Sequence, residues 1–453
     1  MHAAFRRALV LALQAVLATA CAGGGARYQM LAQELARTEL RPASLDDDPF
    51  RAAPALEREA LVRAVLQRNP TLRSARAAWR AALARHPQQT ALADPMLGMA
   101  IGPRSFGAAE VRDGWKVDVS QEIPFPGKLA LRGEVALAEA EAMAGDFEAA
   151  RLELALLASL LFDDYVLAAR SIEVEEHHIR LLEELEQGAI ARLESGEVAL
   201  QDPVWAAAEL AHRRHDRIRY ATALRTIAQQ MNLLLHRPPL APIPPPPATI
   251  EIEAGDDAAA DATDALVSTA LAERPELRAA YARIGAGQAA VGAAALDYFP
   301  DFTVVAGWDA FWQERPLQPS IGIQLNVPLQ RERRAAALDE AQARLEQAES
   351  EADAKADEVR FSVASAAERL REARHVLHLQ ETELVPAARE FSDAARIAYQ
   401  SGTGSFETLI EAERGLRSAE LEREAARADV SRRRAELDRA LGRIPGTSRG
   451  ATP

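Results

Sequence analysis

The chain has 453 residues, is rich in Ala, Leu, Glu and Arg, and has only 5% aromatic residues, a composition that favours long helices over compact mixed folds. Its formal net charge of −14 argues against a nucleic-acid binder, which needs clustered positive surface. An acidic balance suits a solvated surface and, more weakly, a cation path.

At the N-terminus, Arg6 and Arg7 precede an apolar run from Ala8 to Val16, and Ala18, Thr19 and Ala20 lead to Cys21. Residues 1–20 therefore read as an export signal and not as a structural helix. Cys21 is the single cysteine, so no intramolecular disulfide forms. Its place after the small residues marks a bacterial lipoprotein cleavage site, where the thiol carries lipid and becomes the mature N-terminus. Leu17 stands one place earlier than such signals have it, with Ala18 in its position; the alternative is an ordinary secretory signal whose cysteine is incidental. Residues 21–55 are expected to be an extended segment. Beyond Cys21 the most apolar stretch, Leu152 to Ala169, is broken by Glu153, Asp163 and Asp164, so no membrane-spanning helix is expected.

The rest of the chain is written twice. Leu61-Val62 and Asn69-Pro70-Thr71-Leu72-Arg73 return as Leu266-Val267 and Arg274-Pro275-Glu276-Leu277-Arg278, a shift of 205 residues. Ile123-Pro124 returns as Val327-Pro328 after 204 residues, Ser195-Gly196 as Ser401-Gly402 after 206, and Leu235-His236 as Leu441-Gly442 after 206. The units are residues 56–236 and 264–442. Between them, residues 237–263 contain Pro238-Pro239 and Pro244 to Pro247, a stiff extended linker. Residues 443–453 are expected to form a flexible tail.

Each unit opens with a helix, from about Leu56 to Arg85 and from about Asp264 to Leu296, followed by two strands. A very long helix comes next, from about Lys128 to Glu194 and from about Arg331 to Gln400. After a Ser-Gly break a return helix runs from Pro203 to Leu235 and from Phe406 to Leu441. Asp202 before Pro203 reads as an N-cap and first-turn pair. In the second long helix Val363, Leu370, Leu377, Leu384, Phe391 and Ala398 recur every seven residues, with Val359, Ala366 and Ala373 on the alternate rung. That period means supercoiled packing against neighbours, with a bend expected at Pro386. A helix of about 65 residues spans on the order of 100 Å, too long for a compact globule.

The strands say which solvent each face meets. Trp115, Val117, Val119 and Ile123 alternate with Lys116, Asp118, Ser120 and Glu122, and Ile321, Ile323, Leu325 and Val327 alternate with Gly322, Gln324 and Asn326. The partner strands, near Met96 to Gly102 and Phe302 to Phe311, are less regular. Apolar-out and polar-in alternation is how a membrane barrel strand reads; a single such hairpin would read better as half-buried against a helix, but two stand in equivalent places of an exported, duplicated chain. Four strands cannot enclose an open lumen, and unpaired edges are not tolerated in lipid, so several chains must each contribute four.

Over essentially its full mature length the chain resembles the TolC-like outer-membrane efflux proteins. The twofold repeat, the Asn69-Pro70-x-Leu72 start, the Ser-Gly turns and the stretch Gln121-Glu122-Ile123-Pro124-Phe125-Pro126-Gly127-Lys128 carry the resemblance. That last stretch is similar to the strand-to-helix junction of the heavy-metal, RND-type efflux branch; physically, Pro124 and Pro126 stop the ladder and Gly127 lets the chain turn. The resemblance implies a mainly α fold with a small transmembrane β portion. In it, duplicated long antiparallel helices form an α-barrel tunnel in the periplasm, and four strands per protomer close a 12-stranded barrel in a homotrimer. It also implies a periplasmic adaptor protein and an inner-membrane RND-type pump as partners, with outer-membrane lipid around the barrel.

The resemblance further places a gate at the tip turns of Gly196 and Gly402. Glu411 matches a ring carboxylate, and Tyr399 and Asp202 match two positions of a hydrogen-bonded latch. Thr408 stands where many members place a second acid, and Gly404 where the latch arginine would be. Three copies of Glu411 about an axis would favour cations; its plain alternative is a solvated helix residue.

His212 with His215, and His375 with His378, are spaced to face one way, but no third ligand stands beside them, and His177 and His178 diverge. A solvated helix face is the reading adopted. No Gly-rich phosphate loop, positioned nucleophile or paired carboxylate is found, so no enzyme, cofactor or metal site is expected. The function expected is a passive export conduit for small solutes, heavy-metal cations among them. The alternatives are the exit duct of a one-step, type I protein secretion system, a periplasmic coiled-coil scaffold and, more remotely, a hydrolase.

Overall fold

The computed structural model describes residues 24–38, 48–50, 53–103, 106–107, 114–252, 263–312 and 314–446; the export signal and Cys21 lie outside the described residues. The chain divides into two units, each drawing on both repeats. The first comprises Met1–Glu39, Ser74–Phe147 and Glu276–Lys355, and the second Leu40–Arg73, Glu148–Pro275 and Ala356–Pro453. Among the described residues no helix is long and apolar enough to cross a membrane.

The first unit holds the only sheet among the described residues. Strands β1 (Met96–Gly102), β2 (Gly114–Ile123), β3 (Phe302–Asp309) and β4 (Pro319–Leu325) pair antiparallel in that order. Register puts Met99 beside Val117, Val117 beside Trp308, and Ala306 beside Ile321. One face therefore carries Leu97, Met99, Val117, Val119, Val304, Trp308, Ile321 and Ile323 across all four strands. Leu97 and Ile321 on that face are 75% and 80% exposed. The other face carries Lys116, Asp118, Ser120, Glu122, Thr303 and Gln324, with Lys116 and Asp118 paired at 3.3 Å. Among the described residues the outer edges of β1 and β4 have no partner strand. β3 stops at Asp309, short of Phe311, because the chain turns there: the Phe311 amide donates to the Asp309 carboxylate at 3.0 Å.

Within the segment 21–55, expected to be extended, residues Gly24–Arg37 form helix α1. It is tied down by its own polar side chains and by an arginine from a neighbouring helix. Arg27 bonds Glu141 at 2.5 Å, Tyr28 stacks on His86 at 5.1 Å, and Arg76 donates to the Leu35 carbonyl at 3.0 Å. The opening helix of each repeat is also divided at its proline. The first gives α2 (Arg58–Arg68), α3 (Pro70–Leu83) and α4 (Arg85–Thr90), and the second gives α7 (Thr263–Glu273) and α8 (Pro275–Leu296). A residue before proline resists the α conformation, and Asn69 caps the new helix by accepting from the Thr71 amide at 2.8 Å.

Helix α5 (Lys128–Glu194) runs 67 residues, the part from Glu148 onward belonging to the second unit, and α6 (Gln201–Leu234) and α11 (Phe406–Ala440) are the return helices there. The repeats are tied alike at their far ends: Asn69 donates to the Leu234 carbonyl at 3.0 Å and Arg274 to the Ala440 carbonyl at 3.2 Å. The proline linker lies as a strap, with the Leu56 amide on the Pro245 carbonyl at 2.8 Å and the Tyr165 hydroxyl on the Pro244 carbonyl at 3.2 Å. The start of the expected tail packs too, since Gly446 lies against Arg58 and Ser159; residues 447–453 are outside the described residues. Asp202 is not the N-cap expected of it: α6 begins at Gln201, two residues before Pro203, Leu200 holds the cap position without a side-chain bond, and Asp202 sits buried in the first turn.

The seam of the second long helix holds only as far as Leu377. Val359, Val363, Ala366, Leu370, Ala373 and Leu377 are buried, whereas Leu384 and Phe391 are 43% and 53% exposed and Ala398 is half-buried. Val385, Ser392 and Tyr399 are buried in their place, so the seam has moved on by one residue. The cause is a π turn, Gln380–Leu384, between α9 (Arg331–Leu379) and α10 (Val385–Gln400), in which the Val385 amide donates to the Gln380 carbonyl. A π turn holds one residue more than an α turn, and one extra residue rotates all that follows by about 100°. Pro386, with no amide to donate, stands just after it. The repeat shift grows from 204 at the strand end to 206 at the tip, and the π turn takes up one of those two extra residues. Deleting exposed Thr382 should convert the turn to α, rejoin the two seams and cost less than about 1 kcal/mol. Deleting exposed Glu368 inside the seam should cost several times more, read as the drop in thermal midpoint of the detergent-solubilised protein.

Candidate functional site: the helix tips and the strand-to-helix junction

Both long helices end in the same way. Gly196 and Gly402 adopt φ of +79° and +76°, which a side chain resists. The Glu197 and Thr403 amides then reach back to the Arg192 and Ala398 carbonyls at 2.8 and 2.9 Å, the double closure that satisfies a helix C-terminus. The return helix α11 is capped by Ser405, which accepts from the Thr408 amide at 3.1 Å.

Tyr399 lies at the centre of the tip. It is buried, packs on Phe406 at 5.3 Å, and has the Arg192 guanidinium 4.7 Å from its ring centre. Arg192 also donates to the Tyr399 carbonyl at 2.9 Å and pairs with Glu197 at 3.1 Å. The Tyr399 hydroxyl is buried without a well-formed hydrogen bond. Burial pushes the phenol up from its ordinary value and Asp202 adds to this, against the pull of Arg192. The tip thus brings Tyr399 and Asp202 together with a cation, Arg192, that does not stand out in the sequence. Its signal was positional: a positive charge in the last turn of a helix, where the dipole favours it.

Gly404 cannot carry an arginine without rearrangement. Its amide bonds the Ala398 carbonyl at 2.9 Å, and a Cβ there would lie 2.8 Å from the Ala398 Cβ and 3.1 Å from its carbonyl carbon. Thr408 is engaged with Ser405 at 2.9 Å. Glu411 is exposed on α11 and is not joined to Tyr399 or Asp202. Its charge acts on Arg414, which is held above its ordinary value chiefly by its bond to Glu209.

Above the tip, α11 is bound to its neighbours through buried charges that heptad reasoning passed over. His178 of α5 is 2% exposed and stands 3.1 Å from Glu420 and 3.7 Å from Glu413. Arg389 and Arg396 of α10 close on the same two carboxylates at 3.1 and 2.8 Å. The His178 bond, opposed by burial, holds the Glu420 carboxyl below its usual range. Arg417 joins Glu175 of α5 to Asp216 of α6. His177, by contrast, is exposed, as are His212, His215, His375 and His378, and among the described residues no three ligating side chains converge on a metal position.

At the junction Gly127 has φ of +95°, which turns the chain from β2 into α5 after Pro124 and Pro126. The adjoining Lys128 is buried and holds Asp301 at 2.9 Å and Asp297 at 3.3 Å. The Phe125 amide donates to Asp301 at 2.7 Å, and Phe125 stacks on Phe299 at 4.7 Å. Burial works to raise the Asp301 carboxyl, but the Phe125 amide, Lys128 and Arg132 outweigh it and hold it below its ordinary value. A carboxylate depressed in this way stabilises the fold above its unfolded pKa of about 4, and that contribution is lost as pH falls through the folded value. Asp301→Ala should therefore cost about 1–3 kcal/mol at neutral pH, with the deficit closing in acid unfolding below about pH 4. A deficit constant with pH would assign the loss to packing.

Residues 266–443 match the outer membrane efflux protein family. By sequence, no curated protein matches the chain. Among solved structures it is similar to the outer-membrane channel OprN, with a TM-score of 0.69 and 21% identity over 89% of this chain and 99% of that one. It is also similar to the outer membrane protein VceC of Vibrio cholerae, with a TM-score of 0.72 and 19% identity over 85% and 96%. For CusC the values are 0.71 and 17% over 89% and 98%. The fold is that of the TolC-like channels.

Proposed function

We propose that this chain, TolC-like in fold and an outer membrane efflux protein in the sequence of its second repeat, is one protomer of a homotrimeric outer-membrane channel. It passes small solutes outward without chemical change, as the exit component of a tripartite system with a periplasmic adaptor and an inner-membrane RND-type pump. Cys21 carries the lipid that anchors it to the outer membrane. The observation that carries the reading is the four-stranded sheet with one apolar, exposed face and two open edges, because lipid admits such a sheet only when it is closed. A coiled-coil scaffold has no use for such a face; it would leave the membrane with salt, whereas the channel should need detergent.

In this reading Gly196, Gly402, Tyr399, Asp202 and Arg192 form the narrow end, and Glu411 contributes an acidic ring. Heavy-metal cations are the favoured cargo, on the strength of the Pro124-Phe125-Pro126-Gly127 junction and the acidic balance. Deleting the chain should raise metal sensitivity; sensitivity to organic compounds alone would reverse that preference, and loss of a secreted protein would favour the type I duct.

Two single-channel measurements test the gate. Arg192→Ala removes a cation–π contact and a carbonyl bond worth about 1–2 kcal/mol, and should raise the open fraction roughly tenfold. Glu411→Gln should lower the preference for cations over anions; an unchanged selectivity would return Glu411 to the solvated helix face.

A further inference from the structure

His178 of α5 is buried between two carboxylates of α11 that stand two helical turns apart. Its Nε2 lies 3.1 Å from Glu420 and its Nδ1 3.7 Å from Glu413. Helix α10 closes the far side of each: Arg389 donates to Glu420 at 3.1 Å, and Arg396 and Ser392 donate to Glu413 at 2.8 and 2.9 Å. Those last two bonds fall on one oxygen of Glu413. Its other oxygen, which faces the ring, is buried and accepts no hydrogen bond.

The protonation of the ring decides what this arrangement can hold. A neutral imidazole carries one N–H and one lone pair. With the proton on Nε2 the bond to Glu420 is kept and a lone pair is turned on Glu413; with the proton on Nδ1 the lone pair faces Glu420 instead. Either way a buried carboxylate oxygen meets a lone pair, which is costly away from water. Only the imidazolium, a donor at both nitrogens, satisfies the two sides at once. The Glu420 carboxyl, held below its usual range chiefly by its bond to His178, stays charged for that partner.

We propose that His178 is a proton-dependent lock, which binds α5 to α10 and α11 while the ring carries both protons and frees it as pH rises through the imidazole range. The other carboxylates around the ring each have an arginine already. Glu175 of α5 and Asp216 of α6 share Arg417 of α11. Glu209 of α6 is held by Arg213 at 3.1 Å and by Arg414 of α11 at 2.6 Å. Glu424 of α11 is held by Arg423 at 2.8 Å and by Arg170 of α5 at 3.5 Å, and Glu381 of the π turn by Arg427 at 2.6 Å. His177, the next residue, is exposed. Glu413 and Glu420 are therefore the groups that register the proton on His178. The lock also lies on the helices that meet at the tip, since Arg192 stands further along α5 and Tyr399 one turn beyond Arg396 on α10. It is a property of one chain; its effect on a pore rests on the channel reading, in which a freed α5 lets Arg192 and Tyr399 part more often.

Glu413→Gln in the full-length protein in detergent tests the lock. The Gln carbonyl can still accept from Ser392 and Arg396, while its amide can donate to the lone pair of a neutral ring, which a carboxylate cannot do. In the wild type, hydrogen exchange of the α5 amides from His178 to Glu194, corrected for the intrinsic pH dependence of exchange, should quicken roughly tenfold between about pH 5 and 8. In Glu413→Gln it should stay level, and in His178→Gln, which has no ring to titrate, it should be the same at both values. Wild type and Glu413→Gln quickening alike, or a wild type that stays level, overturns the lock; a histidine that only fills space gives no reason for an amide to protect in alkali. In planar bilayers the open fraction should rise with pH in the wild type and not in Glu413→Gln. The expected exchange pattern in a protein that forms no pores supports the lock and removes the channel, whereas pores in a protein whose exchange stays level overturn the lock and leave the channel standing.

Discussion

The unsatisfied edge of a β-sheet is the constraint from which the rest of this molecule follows. Among the described residues β1 and β4 each leave one edge without a partner strand, and the sheet between them has a broad, exposed apolar face. In water such an edge invites uncontrolled pairing, and in lipid each unmatched backbone group costs several kcal/mol. Closure among identical chains, as proposed above, would answer both difficulties, and it would require every copy to present its strands at the same height and tilt. The junction at Pro124 to Lys128 meets that need, because Lys128, held by Asp297 and Asp301, fixes the start of a 67-residue helix against the base of the sheet.

At the other end of the same helices charge does the organising. Long helices finish with carbonyls that lack partners, and a cation near them is favoured; Arg192 fills that role and covers the Tyr399 ring as well. Further up, α11 sets Glu413, Arg417 and Glu420 against His178 and Glu175 of α5 and Arg389 and Arg396 of α10. Buried pairs of this kind add little net stability, yet breaking one side is costly. Such an arrangement resists sliding of one helix on another more than it tightens their packing.

Much of this architecture is legible in the sequence. The limits of α5, the two glycine turns, the strand positions and the twofold plan follow from period, proline and glycine, which act locally and leave a mark on the sequence. What escaped depends on contacts between distant segments. Helix α1 owes its place to Arg27, Tyr28 and Arg76 meeting partners elsewhere, and its residues show little of this alone. Asp202 looked like a cap because it precedes Pro203, but burial beside Tyr399 decides its position. Arg192 was overlooked because an arginine in a helix is unremarkable until an aromatic ring lies under it. The seam was extended through Leu384 and Phe391 because they keep the sevenfold count; a change of helical turn shifts the face without altering the count.

That change of turn bears on how duplicated proteins acquire differences. A substitution alters one contact, whereas a single added codon within a helix re-aims every side chain downstream of it. Lodged in a wide turn, the extra residue lets Val385, Ser392 and Tyr399 keep the interior while Leu384 and Phe391 are turned outward, so two initially equivalent arms of the molecule diverge without new residue types.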